Sequence, residues 1–181
     1  MPVHQRGLLL VGMRGAGKSA AGRAAAALAH LDFIDLDDRA LALCGSPDVA
    51  AAFAAHDGAA RWRTAERDAL EALVGGACPT CIVAIGAGAP EHAPTAAVIR
   101  RARSGGWRVV HVRASAQVCA SRVAADPGGR PALTPAGLLG EIATLHARRT
   151  PVYESLCDLA VDADRALADV ARSIARAASD S

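Results

Sequence analysis

The chain has 181 residues, 52% of them apolar, and carries a net charge of +2 from 20 basic and 18 acidic side chains. That length suits a single α/β domain with a sizeable core. The balanced charge, without a basic block, argues against a nucleic-acid partner, and no apolar run is long enough to span a bilayer. Arg14 and Lys18 interrupt any signal-like core after Leu8-Leu9-Leu10, so a cytoplasmic monomer with no membrane contact is expected. Five cysteines, an odd number, suggest free thiols. Cys78-Pro79-Thr80-Cys81 is a lone C-x-x-C; with no second pair a zinc site is not expected, a redox dithiol is the alternative, and Cys81 reads as a buried strand residue.

Residues 7–12 read as a strand and 17–30 as an alanine-rich helix. Between them Gly12-Met13-Arg14-Gly15-Ala16-Gly17-Lys18-Ser19 spells G-x-x-x-x-G-K-S, a phosphate-binding loop. Its glycines let backbone N–H groups turn toward a polyphosphate, Lys18 reaches the terminal phosphates, and the Ser19 hydroxyl suits Mg²⁺. The helix that follows adds its positive dipole end. Gly15, Ala16, Gly17, Lys18, Ser19 and Ala20 are therefore the expected ATP-binding residues.

A second strand, 31–35, ends in acid. Helices follow at 38–44 and from Pro47-Asp48 to about 74, with a break near Asp57-Gly58. Cys81 to Ile85 is apolar on both faces, as a central parallel strand requires. A helix opens at Pro94, a strand covers Trp107 to Val112, and a helix covers 115–123. A Gly- and Pro-rich loop leads to a helix capped by Thr134-Pro135 and ending near Arg148. A short strand runs from Asp158 to Val161, and Asp164 begins the last helix. Alternating strands and helices predict a three-layer α/β/α fold of the P-loop type with five parallel strands. Parallel strands carry their C-terminal ends to the edge that holds the phosphate loop. The second strand ends there on Asp35-Leu36-Asp37, and extended geometry would turn both carboxylates to one face. One carboxylate can hold a metal while the other accepts a proton from an attacking hydroxyl. Arg63, Arg130 and Arg149 are candidate forks for an acidic substrate or for phosphates. Spacing does not choose between Arg61 and Arg63, or between Arg148 and Arg149.

In order along the chain stand the loop GMRGAGKS and Phe33-Ile34-Asp35-Leu36-Asp37, then Gly58 with Trp62-Arg63-Thr64-Ala65-Glu66. Gly86-Ala87-Gly88, Arg130-Pro131-Ala132-Leu133, and Arg149 to Tyr153 as R-x-P-x-Y complete the set. This series resembles the shikimate kinase family, small kinases of the nucleoside-monophosphate-kinase type, over nearly the whole chain. The resemblance implies a single kinase domain, 1–181, with an acceptor-binding segment at about 35–66 and a lid at about 123–134. It implies ATP and Mg²⁺ as cofactors, with Ser19 and Asp35 at the metal and Arg122 near the nucleotide. Lys18, Asp37 and Arg130 would be catalytic, Asp37 binding the accepting hydroxyl and Arg130 closing over the phosphates. Arg63 and Arg149 would clamp the shikimate carboxylate, Glu66 would orient Arg63, and Gly86, Ala87 and Gly88 would face the ring. The implied reaction is phosphorylation of the shikimate 3-hydroxyl. Ala87 stands where the family has a middle glycine and Ala59 where it has an acid, both on the acceptor side. They leave open a kinase for another small hydroxy acid or sugar acid, or a regulator that binds without turnover.

Overall fold

The computed structural model describes residues 6–76, 80–125 and 137–179. Five parallel strands form one sheet: β1 (Gly7–Val11), β2 (Asp32–Asp35), β3 (Cys81–Ala84), β4 (Trp107–Arg113) and β5 (Leu159–Asp162). Their spatial order is β2-β3-β1-β4-β5. Every residue of β1 and β3 is buried, which explains their unbroken apolar runs, whereas the edge strands β2 and β5 carry exposed positions.

Eight helices fill the described connections: α1 (Lys18–Ala29), α2 (Leu36–Cys44), α3 (Val49–Ala54), α4 (Gly58–Gly75), α5 (Ala93–Ser104), α6 (Ala116–Ala125), α7 (Gly137–Leu156) and α8 (Leu167–Ser179). α1 and α8 pack against each other and on the sheet, and α5 and α7 pack together on β4. The result is the expected three-layer α/β/α sandwich. α2, α3 and α4 gather over a small satellite core of Ala40, Ala52, Trp62 and Ala65. No described helix is long and apolar enough to cross a membrane.

The ladder register positions the site. Asp35 is level with Ala84, Ala84 with Leu10, and Leu10 with Val110. The acidic end of β2 therefore stops at the same height as the strand that leads into the phosphate loop.

Several expectations are corrected. Asp37 is not extended: α2 starts directly at Leu36, with Asp35 as its N-cap accepting from the Asp37 N–H at 3.2 Å. A cap lets the helix begin two residues earlier than composition suggests. α7 does not stop near Arg148 but runs through Pro151 to Leu156. The extra turns bury Tyr153 and Leu156 completely, and this burial outweighs the hydrogen bond lost at proline. Asp164 does not open α8, which starts at Leu167. Its carboxylate instead accepts from the Ser115 N–H at 2.9 Å, fixing the entry to α6. Cys81 is fully buried as expected; Cys78, the Thr134-Pro135 cap, Arg130 and lid residues 126–134 lie outside the described residues.

Candidate active site

The phosphate loop joins β1 to α1. Gly15 and Gly17 hold φ of 80° and 90°, in the left-handed region where a side chain is strained. A Cβ on Gly15 would also strike the Cys119 carbonyl. Ala16 is buried, and its N–H donates to the Met13 carbonyl at 3.1 Å, closing the turn, while Ala20 is exposed in the first turn of α1 and lines the cavity in front of the loop. The Lys18 ammonium donates to the carbonyls of Gly12 and Met13 at 2.9 and 3.0 Å, which holds it at the loop. Arg122 reaches over from α6 and donates to Ala16 O at 3.3 Å and Ala163 O at 2.9 Å. Under the loop lies His111, 3% exposed, with its ring 5.2 Å from that of Tyr153. Burial, reinforced by Arg113, His146 and Lys18, pushes its pKa down to about 4, so the ring is neutral at neutral pH.

Across the cleft the Ser19 hydroxyl donates to Asp35 Oδ2 at 2.7 Å. A hydroxyl and a carboxylate side by side, both hard oxygen donors, suit Mg²⁺, which takes few protein ligands and completes its shell with phosphate and water. The loop, Arg122, Asp35 and Asp37 line one cavity of about 840 Å³. Its cations stand on the phosphate loop and α6, and its carboxylates stand at the β2–α2 junction, along with Asp48 at the start of α3.

A second cavity of about 290 Å³ shares Arg14, Val49, Ala50, Gly86 and Ala87 with the first. Arg63 and Arg149 line it together. Arg63 is seated by three neighbours. Its Nη1 pairs with Glu66, its Cζ lies 5.9 Å from the Phe53 ring centre, and a Cβ on Gly88 would collide with its Nη2. Glu66 is 1% exposed; burial raises its pKa, Arg63 opposes that rise, and the nearby Asp37 adds to it. A Cβ on Gly86 would strike Glu66 and lie 2.9 Å from Asp37 Oδ1. Gly86 and Gly88 are thus glycines because Asp37, Glu66 and Arg63 lie against their backbone. Ala87 stands between them in the wall common to both cavities, and its carbonyl accepts from the Tyr153 hydroxyl at 2.6 Å.

Helix phase settles what spacing left open. Arg61 is exposed while Arg63 lines the cavity, and Arg148 is exposed while Arg149 is buried. Ala59 is exposed and lines neither cavity, so its departure from the family pattern lies away from both. Sequence reasoning missed Arg14, which lines both cavities, and Glu141, Ile142 and Leu145 on α7. The last group was findable: positions 141, 145 and 149 repeat every four residues on one helix face. Three arginines against two glutamates leave the smaller cavity with an excess positive charge, which suits an anionic occupant.

The family model for shikimate kinase matches residues 14–179. Shikimate kinase of Stenotrophomonas maltophilia is 34% identical over 157 residues, spanning 87% of this chain and 82% of that protein. Shikimate kinase 2 of Yersinia enterocolitica is 31% identical over 169 residues, 92% of each chain. Among solved structures, shikimate kinase from Acinetobacter baumannii in complex with shikimate superposes with a TM-score of 0.83 at 23% identity, covering 97% of this chain and 93% of that one. On this match to the family model and to these relatives, the chain belongs to the shikimate kinase family.

Proposed function

We propose that the protein transfers the γ-phosphoryl group of ATP to the 3-hydroxyl of shikimate, giving shikimate 3-phosphate and ADP, as a monomeric single-domain kinase of the cytoplasm. One observation carries this reading. A phosphate loop and a small cavity lined by two seated arginines share a wall, with Asp37 against that wall. Ser19 and Asp35 would hold Mg²⁺, which supplies charge neutralisation on the transferring phosphate. Lys18 stabilises negative charge spreading over the phosphoryl oxygens, and Arg122 steadies the nucleotide side of the loop. Arg63 and Arg149 grip the substrate carboxylate and fix the ring in the smaller cavity, against Gly86, Ala87 and Gly88. Asp37 then meets the accepting hydroxyl and takes its proton as the oxygen attacks. Holding both reactants in line supplies much of the catalysis, because phosphoryl transfer needs little covalent help from protein. The family pattern adds Arg130, on a lid at about 123–134 that closes over the phosphates and excludes water.

Incubation of the protein with ATP, Mg²⁺ and shikimate tests the reading, with phosphorus NMR and mass spectrometry of the product. A single monoester at the 3-oxygen is expected; no phosphorylated product, or phosphate on another oxygen, overturns it. The methyl of Ala87 favours one second reading, a kinase for a slimmer hydroxy acid. A higher kcat/KM for such an acid than for shikimate, in the same assay, would select it.

A further inference from the structure

Arg149 is held from outside its own helix. Its Nε donates to Oε2 of Glu91 at 2.7 Å, and Glu91 closes the short 3₁₀ turn Ala89–Glu91 that directly follows Gly88. The same carboxylate is gripped by the preceding residue of α7: Arg148 donates through Nε to Oε1 at 2.6 Å and through Nη2 to Oε2 at 3.1 Å. Arg149 lines the acceptor cavity, whereas Glu91 and Arg148 do not.

We infer that Glu91 is a positioning residue for the acceptor carboxylate: it fixes the Arg149 guanidinium, while Arg148 offsets the charge that Glu91 brings. The inference rests on the reading of Arg149 as a carboxylate ligand. Two features of the geometry support it. First, the bond to Glu91 is made through Nε, which keeps the end-on Nη1/Nη2 fork out of the ion pair. That fork is one of two guanidinium edges that donate two parallel bonds to a carboxylate, the other being the Nε/Nη2 edge that Arg148 uses on Glu91. An arginine side chain otherwise samples many rotamers, and a single fixed bond at Nε removes most of that freedom before the substrate arrives. Second, a lone glutamate beside Arg149 would cancel the charge the substrate needs. One carboxylate shared by two guanidiniums leaves one positive charge over. Burial alone would raise the Glu91 pKa; the bonds from Arg148 and Arg149 reverse this and lower it, so Glu91 stays ionised across the neutral range. Arg148 is largely exposed and its own attraction to the substrate is screened, so its effect is exerted on Glu91.

The test is steady-state kinetics on the full chain, with shikimate and with its uncharged carboxamide. Glu91→Ala is expected to raise the shikimate KM about tenfold, with kcat and the ATP KM within about twofold of the parent. Glu91→Gln keeps an oxygen acceptor for Nε and is expected to recover most of that loss. In an Arg149→Ala background, or with the carboxamide, Glu91→Ala is expected to change kcat/KM by less than about twofold. Glu91 that merely clamped α7 to the turn would alter both substrate KM values and would keep its effect without Arg149; either result overturns the inference. So does an unchanged shikimate KM in Glu91→Ala, or in Glu91→Gln should the alanine variant not fold. An inactive parent protein would instead overturn the function on which the inference stands, whereas an active parent with indifferent Glu91 variants removes the inference alone.

Discussion

The Tyr153 hydroxyl donates a 2.6 Å hydrogen bond to the carbonyl of Ala87, joining α7 to the turn after β3. Tyr153 is fully buried, and burial pushes its pKa up, so the phenol keeps its proton and remains a donor. Four residues upstream on the same helix face stands Arg149. The turn Gly86–Gly88 and one of the two arginines that line the smaller cavity with it are therefore referred to a single rigid element. Tyr153→Phe keeps the ring and strands the Ala87 carbonyl. It is expected to lower stability by about 1–2 kcal/mol and raise the shikimate KM several-fold. Thermal denaturation read together with the kinetics checks this; a variant with parental stability and parental KM would deny the bond any role.

Gly88 is the place where added bulk falls on Arg63. Gly88→Ala puts a methyl into the space of Nη2, the far end of a flexible side chain paired with buried Glu66, so a loss of about 1–3 kcal/mol is expected while the fold survives. The guanidinium must move away from the cavity, and an approximately tenfold rise in the shikimate KM is expected, with the ATP KM unchanged. A matching rise in both KM values would point to general disruption of the β3 end instead.

Asp37 and Arg149 should fail in different ways. Asp37→Asn preserves size and removes the proposed base, so kcat is expected to fall by about 10²–10⁴-fold with little change in the shikimate KM. Arg149→Ala removes a charged hydrogen-bonding fork, which is worth about 1.5–3 kcal/mol, and should act mainly on KM by about 10–150-fold. Stopped and steady-state assays of ADP release separate the two. A kcat defect in Arg149→Ala with unchanged KM would reverse the assignment.

Much of this site could be read from residues alone, and its limits have physical causes. The phosphate loop is legible because polyphosphate binding needs a particular run of glycines, lysine and hydroxyl. Asp35 is legible because parallel strands end on a common edge, and the register does bring it level with Leu10. The position of Asp37 was foreseen for an inexact reason, since it is the first turn of α2 and not an extended strand that turns it inward. Arg149 was legible only through a motif, because the continuation of α7 past Pro151 depends on the burial of Tyr153 and Leu156, which is tertiary. Glu91 gave no signal at all: its partners lie 57 and 58 residues away, and nothing local marks a glutamate that will meet two arginines.

His111 links stability to acidity. An unfolded histidine titrates near 6.5, and the buried one near 4, so the folded chain binds fewer protons between those values. The stability it supports is complete above pH 6.5 and is lost as pH falls toward 4, by about 3 kcal/mol at most. His111→Gln should remove this part of the acid sensitivity. Urea unfolding at several pH values checks it: the gap between parent and variant should change across that window, and parallel curves would contradict the shift.

The most direct measurement compares kcat/KM for shikimate with that for its carboxamide, using coupled ADP release with saturating ATP and Mg²⁺. If Arg63 and Arg149 grip a carboxylate while Asp37 meets the hydroxyl, removal of the charge should lower kcat/KM by at least about 100-fold, since two charged hydrogen-bonding partners lose their ligand. Equal rates with the acid and the neutral amide would contradict it.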